Sequence, residues 1–143
     1  MKQTPCPCHS NQPYIKCCRR YHQGKIPAPS AETLMRSRYS AYVLNETQYL
    51  YRTWDKTTRP SLLQLRQQSD QTFTSLDIIN THKGTQNDDT GTVEFIAHYI
   101  LKGSAKDSTE GSVKPYQHHE ESYFVKQKGH WKYVKEVCKL DSK

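Results

Sequence analysis

The chain has 143 residues, a formal net charge of +7 at pH 7, 34% hydrophobic residues and a mean hydropathy of −0.96. That length sets one domain, or one domain with a small appendage, and no apolar run approaches the roughly 20 residues of a membrane span. The start, MKQTPCPCHS, lacks the apolar segment of a signal peptide, so a cytoplasmic protein with reduced thiols is expected.

The first feature in chain order is CPCHSNQPYIKCC, which holds Cys6, Cys8, Cys17 and Cys18, four of the five cysteines. A disulfide within either close pair would be badly strained, and the expected compartment disfavours bridges between the pairs. Closely spaced thiolates at the two ends of a short loop can instead converge on one tetrahedral ion. Pro5 and Pro7 stiffen the first arm by fixing φ. A set of thiolates alone selects zinc first and iron second, and four protein ligands leave no open position, so the site is expected to be structural. His9 and His22 lie close enough to compete as ligands, although a turn residue facing solvent is the plainer reading of each. Residues 1–29 carry five basic residues and no acid, so the basic character is concentrated around the cysteines. A basic segment can bind nucleic acid or acidic protein surfaces. Four thiolates on a divalent ion would absorb part of that charge.

This segment resembles the SEC-C motif, a zinc-binding module also found at the C-terminus of the SecA translocation ATPase. Cys6, Pro7, Cys8, Ser10, Tyr14, Cys17 and Cys18 match its pattern, and the resemblance carries Cys6, Cys8, Cys17 and Cys18 over as the ligands. His9 and Asn11 depart from it, because the family usually has Gly at both places. Asn and His tolerate positive φ better than most residues, so the turn is expected to survive. The resemblance to the SecA module implies a partner such as the SecB export chaperone or the ribosome.

GKIPAPS follows and reads as a linker over 24–29, dividing a knuckle at 1–23 from a domain at 30–143. The linker has no apolar pattern to fuse the two, so they are expected to be separable. Ser30 is placed to cap a helix running to about Leu44. Ala31, Leu34, Met35 and Tyr42 form one stripe on it, with Arg38 in the middle, and Arg36, Ser37 and Ser40 take the expected solvated face. Arg38 either meets a carboxylate or a bound anion in a pocket, or snorkels to water. Asn45 with Gln48 suggests a capping box for a second helix ending near Trp54, and Pro60 opens a third in PSLLQLRQQ. Four strands follow: TFTSLDIINT, TVEFIAHYIL, HEESYFVKQ and HWKYVKEV. The long connection after Leu101 is expected to be mobile at its tip, the last connection is a tight turn at Gly129, and Cys138 is expected to be a small buried or half-buried residue. Helices first and strands after predict an α+β fold, helices packed on an antiparallel sheet.

The blocks AETLMRSRYSAYV, YLYRTW with TRP, VEFIAHY, and HEESYFVK followed by GHWKYV are similar to the YchJ-like family. Those proteins join a SEC-C motif to a domain of the nuclear transport factor 2-like fold. The resemblance implies a curved four-stranded antiparallel sheet wrapped around helices in a cone, cystatin-like in outline, preceded by the small zinc knuckle. Cones of this kind often open into a pocket, and some are isomerases or dehydratases. On the second strand Val93, Phe95 and Ala97 make the stronger core face, while Glu94 and His98 are candidates for the concave side. Candidate pocket residues are therefore Arg38, Tyr42, Trp54, Glu94, His98 and Glu120, with Glu120 the first partner for Arg38 and Glu94 the second. Three functions compete. One is an adaptor docking through its zinc module. Another is a small isomerase- or hydratase-like enzyme, or a ligand-binding protein, working in the cone. The third is a nucleic-acid binder, which the charge supports but no stacking motif does.

Overall fold

The computed structural model describes residues 4–67, 71–101 and 115–137. The expectations for Cys138 and for the connection after Leu101 lie outside them. A 3-10 turn at Tyr14–Lys16 and helix α1 (Cys18–His22) belong to the cysteine segment. Helices α2 (Ala31–Leu44), α3 (Thr47–Arg52) and α4 (Leu62–Arg66) follow, then strands β1 (Gln71–Lys83), β2 (Thr90–Leu101), β3 (Tyr116–Gln127) and β4 (His130–Glu136). The strands form one antiparallel sheet in the order β1-β2-β3-β4, so the α+β architecture is as expected.

Local chemistry explains most of the boundaries. Ser30 Oγ accepts the Thr33 N–H at 3.1 Å and starts α2. Asn45 does not open α3. It ends α2 in the left-handed region (φ 62°, ψ 38°), donating its N–H to Ala41 O, and α3 begins without a side-chain cap. Helix α4 is opened by Ser61 rather than Pro60, in a capping box with Gln64. Between β3 and β4, Lys128 (φ 53°) and Gly129 (φ 82°) are both left-handed, as a two-residue hairpin turn requires. Register shifts between Phe73 and Ser75 and between Ile78 and Asn80 are bulges that bend β1.

Helix α2 lies across the concave face of the sheet. Leu34, Met35, Tyr39 and Ala41 share one core with Leu50, Val93, Phe95, Phe124 and Trp131. On β2 the Val93–Phe95–Ala97 face is buried as expected. The helix is also buried on its other side. Ser37 and Ser40, expected to face solvent, are completely enclosed, because the cysteine segment packs there. Tyr42, expected in the core stripe, is 43% exposed instead, near the open end of the cone. The contacts between the two segments are specific: Arg36 Nη1 donates to Cys8 O at 2.8 Å, and Arg52 Nη2 donates to Tyr21 O at 2.9 Å and His22 O at 3.0 Å. Tyr21 and Ala28 belong to the main core.

Candidate functional site

Among the described residues two places carry chemistry: the cysteine cluster and the interior of the cone. The cluster is built by a short antiparallel loop. Cys6 N–H donates to Gln12 O at 2.9 Å and Tyr14 N–H to Thr4 O at 2.8 Å, zipping its ends together. His9 (φ 64°) and Asn11 (φ 70°) take left-handed conformations at the tip, the two positions where the motif usually has glycine. The Sγ atoms of Cys6, Cys8, Cys17 and Cys18 all fall within 4.8 Å of one another. Cys8 and Cys17 are 3.6 Å apart, and Cys17 and Cys18 are 4.0 Å apart. A tetrahedron with metal–sulfur bonds of about 2.3 Å has edges of about 3.8 Å, so the cluster fits a metal ion with little movement.

The thiols of Cys6, Cys8 and Cys18 hold their protons unequally. Cys6 is held low by hydrogen bonds from Cys18 and Cys8, while Cys18 is pushed up by holding its proton toward Cys6 and Cys8 and by burial. Cys8, lowered by its bond with Cys18 but raised by its bond with Cys6 and by burial, ends at about 11. Closely packed thiols cannot all ionise alone, and a divalent cation removes that restriction. Neighbouring hydroxyls complete the cage. Ser10 Oγ lies 3.1 Å from Cys17 Sγ, and Ser40 Oγ, from α2, donates to Cys18 Sγ at 3.3 Å and sits 3.5 Å from Cys6 Sγ. His22 is not part of the ligand group. Its Nε2–H donates to Ser37 O at 2.8 Å, so its Nδ1 accepts from Tyr14 OH, also at 2.8 Å. Burial lowers its pKa and keeps it neutral. His9 is exposed and likewise outside the ligand group. Ser40 escaped the sequence reading, although a helix side of Ser37, Ser40 and Ala41, small and uncharged, is poor material for a solvated face.

The second place is a cavity of about 690 Å³ between α2, α3, α4 and the concave face of the sheet. Of the candidate pocket residues, Arg38, Tyr42, Trp54 and Glu120 line it. Glu94 and His98 do not. They point from the opposite face of β2, where Glu94 pairs with His119 at 2.6 Å and His98 with Asp77 at 2.8 Å, because strand alternation turns Phe95 and Ala97 inward instead. Arg38 is 5% exposed. Its Nη1 donates to Leu50 O at 2.9 Å and Thr53 Oγ1 at 2.8 Å, and the guanidinium carbon lies 4.8 Å from the ring centres of both Trp54 and Tyr133. Two backbone bonds set that clamp: Asp55 N–H to Tyr133 O at 2.7 Å and Tyr133 N–H to Thr53 O at 2.8 Å, tying the end of α3 to β4.

The expected Arg38–Glu120 and Arg38–Glu94 pairs do not form. Glu120 is satisfied from elsewhere, accepting from Ser122 Oγ at 2.7 Å, Tyr133 OH at 3.0 Å and His118 Nε2 at 2.8 Å. Tyr133 thus bridges Arg38 and Glu120, with its ring under the cation and its hydroxyl on the carboxylate. Burial and Glu120 together raise the Tyr133 pKa, keeping it a donor. Burial lowers that of Arg38, yet a guanidinium stays charged at neutral pH. Tyr133, His118 and Ser122 were not among the expected pocket residues. The alternation that places Glu120 inward also places His118 and Ser122 there, and that was the available signal.

Comparison with known proteins agrees with this architecture. The family model described as YchJ, middle NTF2-like domain, matches residues 30–136. A UPF0225 protein of Streptomyces coelicolor is 42% identical over 94% of this chain and 95% of its own length. Another, of Corynebacterium glutamicum, is 44% identical over 90% of this chain and 92% of its own. A SEC-C motif containing protein of Rhodopseudomonas palustris, solved in solution, superimposes with a TM-score of 0.79 at 30% identity, covering 94% of this chain and 98% of that one. A crystal structure of a SEC-C motif containing protein from Psychrobacter arcticus, 24% identical, shares the fold with a TM-score of 0.72 over 98% of this chain and 85% of that one.

Proposed function

This chain belongs to the YchJ-like UPF0225 family of SEC-C motif proteins, and on that footing we propose that it is a small-molecule-binding protein whose cone is braced by a structural zinc site. The cavity carries the reading. About 690 Å³ is enough for a compact organic ligand, and it combines aromatic walls with a few convergent polar groups around Arg38 and Glu120. Zinc is the ion best suited to Cys6, Cys8, Cys17 and Cys18, with iron second. Four protein donors leave it no substrate position, so its role is to hold α1 and the loop against α2. Binding rather than isomerase- or hydratase-like turnover is the reading, because Glu120 is engaged by Ser122, Tyr133 and His118 and so is poorly placed to take a proton from a ligand.

The test is a thermal-shift screen of small organic compounds on the wild-type protein and on Ala97→Phe. Ala97 is buried and lines the cavity, so the added ring fills it and leaves the cysteines alone. Compounds that raise Tm in the wild type and not in Ala97→Phe support the reading. Equal shifts in both proteins, or none in either, overturn it.

A second reading, docking through the knuckle, is favoured by its outer surface: Ile15 is 46% exposed and stands beside exposed Lys16, Arg19 and Arg20. On this reading the partner is the SecB chaperone or the ribosome, and the protein works in the cytoplasm. Nucleic acid is the weaker occupant, because Tyr14 and Tyr21 turn inward and leave no stacking platform among the described residues of the basic face. Affinity purification with intact protein and an Ile15→Asp, Lys16→Glu variant tests it. Recovery of SecB or ribosomes by the intact protein alone supports docking, and equal recovery by both removes it.

A further inference from the structure

Among the described residues Arg38 is a buried cation without a counter-ion. Among the described residues no carboxylate lies within ion-pair distance of it, and Glu120, whose charge is near enough to favour the cation, is taken up by Ser122, Tyr133 and His118. A buried charge left in that state is costly. Its two faces are covered by the rings of Trp54 and Tyr133, and Nη1 is used on Leu50 O and Thr53 Oγ1. What remains is the edge made by Nε and Nη2. Neither atom makes a hydrogen bond among the described residues, and neither is among the sealed, unsatisfied atoms of the interior, so this edge meets the cavity that Arg38 lines. The Nε–Nη2 edge presents two parallel N–H groups, a fork matched to the two oxygens of a carboxylate.

The rest of the cavity narrows the ligand class. The described lining carries two cations, buried Arg38 and exposed Arg66, against one carboxylate, Glu120, which leaves about one positive charge to be matched. A dianion such as a phosphate monoester would find one buried cation and one opposing carboxylate. A monoanion finds its charge matched. Met35, Tyr39, Phe73, Phe95 and Phe124 supply an apolar and largely aromatic wall, so the body of the ligand is apolar. Resting on the reading of the cone as a binding pocket, we infer that its ligand is an amphipathic monocarboxylate, an organic acid with an aromatic or aliphatic body, held by the free Nε–Nη2 edge of Arg38.

The experiment is calorimetric titration of the zinc-loaded full chain with indole-3-acetate and octanoate, each against its neutral amide, and with inorganic phosphate. The acids are expected to bind at least tenfold more tightly than the amides and phosphate. That preference should shrink to less than about threefold in Arg38→Gln. It should also fade in the wild type as the pH drops through the acids' own pKa near 5, a readout that needs no variant to fold. Amides binding as tightly as acids would overturn the carboxylate assignment and leave the pocket reading standing. Phosphate binding more tightly than either acid would overturn it in favour of an inorganic anion. No binding by any acid or amide would overturn both the assignment and the pocket reading.

Discussion

Arg38 illustrates how a single side chain sets the character of this molecule. Its cation is held by a carbonyl, a hydroxyl and two aromatic faces rather than by an acid, so removing it strands no carboxylate. Arg38→Met loses two charge-assisted hydrogen bonds, each worth about 1.5–3 kcal/mol, and gains back most of the desolvation cost of a buried charge. The expected net destabilisation is about 1–2 kcal/mol in urea melts. A loss of about 3–5 kcal/mol would show that Glu120 depends on Arg38 after all. The spacing of α2 was sufficient to aim Arg38 at the sheet. It could not name the partner, because the clamp is made by Trp54 and Tyr133, residues 79 positions apart in the chain that meet only across the α3–β4 contact.

At the scale of elements, the junction between the β1–β2 turn and the start of α2 is closely packed. Gly84 has φ +82°, its carbonyl accepts the Ala31 N–H at 2.9 Å, and a Cβ added there would lie 2.7 Å from Ala31 Cβ. Gly91 packs against it so closely that its own added Cβ would lie 2.4 Å from Gly84 Cα. Gly84→Ala therefore combines a left-handed φ with an overlap that only a backbone shift can relieve, and is expected to cost about 2–4 kcal/mol. Gly129→Ala makes the useful control. It has the same φ but no atom within 4 Å of the new Cβ, so about 1 kcal/mol is expected there. Equal losses at the two glycines, measured by chemical denaturation, would show that packing at Ala31 plays no part. The strands, their facing pattern and the Ser30 cap were legible because each follows from a short-range period or side-chain rule. The role of Asn45 was misread for the same reason. A residue able to cap one helix is equally able to end the one before it, and only the three-dimensional path decides between them.

Over the whole molecule, the cysteine segment and the cone share α2. Ser40 bonds two of the sulfurs, Arg36 holds Cys8 O, and His22 holds Ser37 O, while the next side chains along the helix, Arg38 and Tyr42, line the cavity. The boundaries at 1–23, 24–29 and 30–143 divide the sequence, and we propose that unfolding does not respect them. Stripping the metal with a strong chelator is expected to lower the single melting transition by more than about 10 °C, the shift that roughly 3 kcal/mol produces in a chain of this size. Hydrogen exchange should report lost protection in α2 together with the knuckle. Unchanged protection in α2 and the sheet, with exchange confined to residues 4–23, would show two independent units instead.

The sequence by itself determined the local chemistry. Four cysteines, two prolines and two turn-tolerant residues specify a loop whose thiols can hold a metal ion, and strand alternation specifies which face of β2 is buried, because both depend on residues near one another in the chain. The tertiary structure alone decided that Ser37 and Ser40 are interior, that Glu94 and His98 lie outside the cone, and that Arg38 has no acidic partner among the described residues. Each of those outcomes depends on which distant surface covers a given face. A hydroxyl beside a thiolate, or a guanidinium between two rings, has no signature until the folded chain brings the two together.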